Sequence, residues 1–168
     1  MSDPQPVYLS DYQPPAYRVT HTELTFDLDP AATRVKARLL MERHPEADAN
    51  TPLILNGEHL KLIALSIDAT PLEEAAYQVD AEGLRIDQVP ERFMLESEIE
   101  IAPQENTALE GLYQSNGMYC TQCEAEGFRR ITFYPDRPDV MATFKVTVIG
   151  DQQREPVLLA NGNPCRAW

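Results

Sequence analysis

Leu24-Thr-Phe-Asp-Leu-Asp-Pro-Ala-Ala-Thr-Arg-Val-Lys-Ala-Arg-Leu-Leu-Met41 decides the fold class. Leu24, Phe26 and Leu28 alternate with polar residues, Asp29-Pro30 marks a turn, and Val35, Ala37, Leu39 and Met41 return with the same period of two. Side chains of an extended chain point alternately to opposite faces, so this is a hairpin with one buried face. Upstream, Tyr17, Val19 and His21 lie on the other parity, which predicts a β-bulge near Thr22-Glu23.

Outward from this hairpin the same period recurs. Leu53-Ile54-Leu55 is a short apolar run ended by Asn56-Gly57, and Leu60 to Ile67 is a strand whose parity changes midway, predicting a second bulge. Asp80-Ala81-Glu82-Gly83 connects Tyr77 and Val79 to Leu84 and Ile86. Phe93, Leu95, Ser97, Ile99 and Ile101 alternate with Glu96, Glu98 and Glu100, so the acidic run reads as a solvated strand face. Phe144 to Ile149 and Val157 to Ala160 are further expected strands, and the only helix signal lies over Asp136 to Phe144. Short strands, turn signals and 14 prolines predict an all-β chain, an antiparallel sandwich or layered sheets with at most one short helix.

With 168 residues, one domain is expected, burying roughly 70% of the surface of its unfolded chain. The balance of 14 Lys and Arg against 27 Asp and Glu, a net charge of −13, argues against nucleic acid and anionic membranes as partners and favours cationic or neutral ligands. MSDPQPVYLSDYQPP has neither the basic start nor the apolar core of a secretory signal, and a cytoplasmic location is the simplest expectation. Three cysteines do not make a disulfide framework and are expected to be reduced.

Residue types that suit a binding site crowd into Gly111 to Pro138. Asn116-Gly117 predicts a tight hairpin, because both residues accept positive φ. Its second arm places Gln122 and Glu124 at or just beyond a strand end, two residues apart and therefore facing one space. An amide beside a carboxylate there is a candidate receptor for a small cationic group. Glu124 with Glu126 could also be read as a glycosidase-like pair, but nothing sets an acid opposite a base across a sugar site. Cys120-x-x-Cys123 could be half a zinc site or a redox pair. However, Cys165, His21, His44 and His59 are in no paired spacing, and the βαβ context of a redox motif is missing. No catalytic residue and no metal ligand is therefore assigned to the chain.

Three ordered stretches, Asn106 to Tyr113, Thr121 to Arg129 and Asp136 to Val140, resemble the N-terminal domain of the aminopeptidase N family of zinc metallopeptidases, especially the bacterial alanyl aminopeptidases. Weaker similarity at Leu24 to Asp29, Leu55 to Glu58, Pro90 to Phe93 and Leu159 to Asn163 extends it over nearly the whole chain. The resemblance implies a saddle-like β domain that closes one side of the active site of a thermolysin-like catalytic domain. It implies that Glu124 grips the peptide α-ammonium and that Gln122 borders the pocket for the first side chain. It also implies that zinc, the general base and the H-E-x-x-H motif lie outside this chain. Residues 1–168 are then expected to be the N-terminal β domain of a larger enzyme, excised or truncated, inactive by itself and acting on peptides together with the missing catalytic domain. The rival expectation is a stand-alone β-sandwich module that binds peptides or carbohydrates.

Overall fold

The computed structural model describes residues 8–165. Eleven strands form three sheets: β1 (Tyr17–Asp27), β2 (Thr33–Arg43), β3 (Leu53–Asn56), β4 (Lys61–Ile67), β5 (Thr70–Pro71), β6 (Tyr77–Val79), β7 (Gly83–Ile86), β8 (Arg92–Ile101), β9 (Gly111–Ser115), β10 (Met118–Gln122) and β11 (Thr143–Ile149). A six-stranded sheet runs β11-β1-β2-β8-β4-β5, a three-stranded sheet runs β3-β7-β6, and β9 and β10 pair as a hairpin. All pairings are antiparallel except β1 with β11, which run parallel.

The fold is all-β as the periodicity predicts, and its only helical elements among the described residues are short 3-10 turns. The alternating residues of β1, β2 and β8 turn Leu24, Phe26, Val35, Leu39, Met41, Phe93, Leu95 and Ile99 inward. They join Leu53, Leu55, Leu84 and Ile86 of the smaller sheet, and Ile131, Phe133 and Tyr134 of the segment after β10, in a single core. Burying each such side chain stabilises the fold by about 1.5–3 kcal/mol.

Opposite this core, the acidic face of β8 meets cations of its neighbours. Arg38 bridges Glu23 and Glu96 at 2.7 and 3.1 Å, and Glu100 takes Arg34 and Lys61 at 2.9 and 2.8 Å. Like charges along one strand are thus separated by opposite charges on the adjacent strands.

Three local expectations are corrected. The first bulge lies between Val19 and His21, so the parity change takes effect two residues earlier than predicted; the second is found as expected, between Leu62 and Ala64. Asp136 to Ala142 forms turns and no helix: the Asp136 carboxylate, which would have capped one, accepts from Arg129 instead, and Asp139 is held by Arg137 at 2.6 Å. Val157 to Ala160 is not a strand; Val157 and Leu159 are 71% and 90% exposed, and the run pairs with no strand among the described residues. An apolar run without a neighbouring backbone to bond has nothing to hold it in a sheet.

Candidate functional site

The β9–β10 hairpin turns through Asn116 and Gly117 at φ 51° and 79°, as their residue types require, and registers Gln122 opposite Gly111. Strand pairing ends at Gln122. The next five residues fold back: the Gly127 N–H donates to the Cys123 carbonyl at 3.0 Å, closing a single turn that contains Glu124, Ala125 and Glu126. The Glu124–Ala125 peptide is cis. Glycine at 127 is required sterically, since a Cβ there would stand 2.6 Å from the Gln122 carbonyl oxygen.

Along Gln122-Cys123-Glu124 the exposure alternates. Gln122 and Glu124 are exposed, whereas Cys123 is half-buried and packs against the core. The amide and the carboxylate are thus both open to solvent, one at the last paired residue and one two residues beyond it. The Glu124 carboxylate enters none of the ion pairs among the described residues, whereas Glu126 lies 3.5 Å from Arg129. Burial, and behind it the Asp136 carboxylate, push the Cys123 thiol above its ordinary range, which opposes thiolate chemistry. Cys120, Cys123 and Cys165 are all free thiols. Among the described residues no group of three or more His, Cys, Asp and Glu side chains is arranged to hold a metal ion. The donor set therefore does not fit zinc.

Beneath the loop lies an ionic cluster that sequence reasoning did not assign. Arg129 reaches Asp136 at 3.0 Å and Glu58 at 3.9 Å, and Arg130 reaches Glu58 at 2.9 Å and Glu110 at 3.2 Å. Both guanidinium groups are mostly buried, their side chains 15% and 19% exposed. The available signal was the adjacent pair Arg129-Arg130, which places two cations within the densest stretch of an acidic chain. Their partners Glu58 and Glu110 lie far away in sequence and carried no signal. Aromatic rings complete the support: Phe128 sits edge-on to Tyr134 at 4.8 Å and to Phe144 of β11 at 6.1 Å.

A family model described as the peptidase M1 N-terminal domain matches residues 13–167. The chain is 51% identical over 161 residues to an aminopeptidase N of Caulobacter vibrioides, covering 96% of this chain and 18% of that protein. It is likewise 51% identical over 160 residues to the aminopeptidase N of Escherichia coli, covering 95% of this chain and 18% of that protein. Among solved structures, an aminopeptidase A of Legionella pneumophila in complex with aspartic acid superposes with a TM-score of 0.84 at 38% identity, over 92% of this chain and 18% of that one. An M1 zinc metallopeptidase of Deinococcus radiodurans bound to a Tyr-Ser-Ala substrate shares the fold, with a TM-score of 0.65 at 16% identity over 79% of this chain and 32% of that one. The chain thus spans 18% of the length of the curated relatives it matches.

Proposed function

Because this chain belongs to the peptidase M1 N-terminal domain family, we propose that residues 1–168 form the substrate-gripping β domain of a zinc aminopeptidase that removes N-terminal residues from peptides. The observation that carries this reading is the exposed pair Gln122 and Glu124 flanking half-buried Cys123 at the end of β10, an amide beside a carboxylate that enters no ion pair among the described residues. Glu124 accepts hydrogen bonds from the peptide α-ammonium, and Gln122 borders the space for the first side chain. A fixed contact at the N-terminus selects which peptide bond is presented, which is a positioning role.

Zinc and the general base would belong to a catalytic domain outside this chain, where zinc would supply Lewis-acid polarisation of the scissile carbonyl. No step of that chemistry is assigned to residues of this chain, which by itself does not hydrolyse peptides. No helix among the described residues is long and apolar enough to cross a membrane. A cytoplasmic setting agrees with the three free thiols.

Steady-state kinetics of the full-length enzyme tests the assignment. A carboxylate–ammonium contact contributes about 1.5–3 kcal/mol, so Glu124→Ala is expected to lower kcat/KM by roughly 10- to 150-fold. Glu124→Gln, which keeps the shape and removes the charge, loses most of the same amount. Glu126→Ala changes kcat/KM by less than about threefold, because its exposed ion pair with Arg129 is weak. Parental activity in Glu124→Ala, or loss of activity in Glu126→Ala alone, would refute the assignment.

A further inference from the structure

The loop that carries Glu124 has no regular structure of its own, so its geometry is imposed from outside. It rests on the end of β10 through Gly127 and against the first residue of β9, whose N lies 3.1 Å from where a Gly127 Cβ would be. Two residues after Gly127, Arg129 fastens the chain to the core. Its Nε donates to Asp136 Oδ2 at 3.0 Å and one terminal nitrogen donates to the Asp136 carbonyl at 3.3 Å. Its backbone N–H donates to the same Asp136 oxygen at 3.1 Å, and its carbonyl accepts from the Glu58 N–H at 2.9 Å. Four hydrogen bonds through side chain and backbone, two of them from a planar, permanently charged fork, define orientation as well as distance.

The surrounding charges are also suited to an ammonium ligand. Arg129 and Arg130 supply two positive charges, while Glu58, Glu110, Glu126 and Asp136 supply four negative ones. The anchor therefore adds a cation beneath the loop without making its surroundings positive. The Glu126 contact is the exposed arm of this cluster and contributes least; the Asp136 arm is the one shielded from water.

We propose that Arg129 is a positioning residue of the ammonium site: paired with Asp136, it fixes the Cys123–Gly127 turn and with it the place from which the Glu124 carboxylate grips a peptide N-terminus. This rests on the reading of Glu124 given above.

The test is a kinetic cycle in the full-length enzyme with an aminoacyl anilide as substrate. Arg129→Met and Arg129→Lys are each measured in the parent and in the Glu124→Gln background. The expected result is a KM raised about tenfold by Arg129→Met with kcat changed less than about twofold, and partial recovery of KM in Arg129→Lys. In the Glu124→Gln background the Arg129→Met effect on KM shrinks to less than about twofold, since the contact it positions is already lost. Equal KM changes in both backgrounds, or a fall in kcat at unchanged KM, would overturn this proposal alone and leave Glu124 as the ammonium ligand. Parental kinetics in Glu124→Gln by itself would instead remove the ammonium-site reading and this inference with it. Should Arg129→Met not fold, Asp136→Asn, which keeps an acceptor for the Arg129 N–H, carries the same test: a smaller KM-selective change that vanishes in Glu124→Gln is expected, and one that persists there overturns the proposal.

Discussion

Arg129 Nε and Asp136 Oδ2 lie 3.0 Å apart, with side chains only 15% and 13% exposed, and the same carboxylate oxygen accepts the Arg129 backbone N–H at 3.1 Å. Removing this carboxylate leaves a shielded guanidinium and a backbone donor without their acceptor. Asp136→Ala is therefore expected to destabilise the chain by about 2–3 kcal/mol, more than truncation of an exposed acid such as Glu126. At this size such a loss corresponds to a fall in melting temperature of roughly 4–12 °C, measured by thermal unfolding followed by circular dichroism.

Two glycines of the site region should respond to alanine for different reasons. At Gly127 the obstacle is steric, a Cβ 2.6 Å from the Gln122 carbonyl oxygen, and the backbone atoms involved cannot rotate away. Gly127→Ala should cost about 1–3 kcal/mol and raise KM, because the turn carrying Glu124 has to shift. At Gly117 an added Cβ would meet no atom within 4 Å beyond its chain neighbours, and only the positive φ of 79° opposes a side chain. Gly117→Ala should cost about 1–2 kcal/mol and leave KM unchanged. Equal changes of KM in the two variants would contradict this account.

The ion ladder across the wet face makes stability depend on pH. The Arg38 guanidinium, hydrogen-bonded to Glu23, is the main influence holding that carboxyl below its usual range, with Lys145 and His21 adding to it. A depressed carboxyl contributes stability that is present above its unfolded value of about 4.3 and is lost as pH falls through the folded value. Glu23→Gln should thus lower the urea midpoint at pH 7 slightly, by an amount within the ~0.2–1 kcal/mol typical of exposed pairs. Its decline between pH 5 and pH 3 should be shallower than that of the parent. A parallel decline would show that the pair contributes nothing.

Cys123 reports on the opposite limb. Its thiol is raised chiefly by burial and further by Asp136, so the folded state favours the neutral form. A raised value contributes stability that is complete below the unfolded thiol's value of about 8.5 and is lost as pH climbs towards the folded value. Cys123→Ala should flatten the loss of stability between pH 8 and 10. With a disulfide reagent at pH 8, the exposed Cys165 is expected to react first and Cys123 last, reaching full reactivity only in urea.

Much of the fold was legible because β2 and β8 bury every second residue, so that Val35 to Met41 and Phe93 to Ile101 announce both the strand and its inner face. The β9–β10 hairpin and its end at Gln122 were legible because the Asn116-Gly117 turn fixes where the second arm begins. What failed depended on pairings that spacing along the chain does not announce. Asp136 has the local credentials of a helix cap, and only the folded chain brings it to Arg129. Val157 and Leu159 carry strand character but pair with no strand among the described residues. The parallel pairing of β11 with β1 has no local turn to betray it.

That parallel pairing also imposes an order on folding. β1 can meet β2 through a short connection as soon as both exist, whereas His21 and Thr143, joined at 2.7 Å, stand 122 residues apart in sequence. Closing so long a loop costs entropy before any contact repays it, and long-range pairing of this kind is slow. During synthesis the outer edge of β1 therefore stays open until Thr143–Ile149 has left the ribosome. Until β11 arrives, the edge of β1 that it covers, His21 to Asp27, offers a template to any other nascent chain nearby.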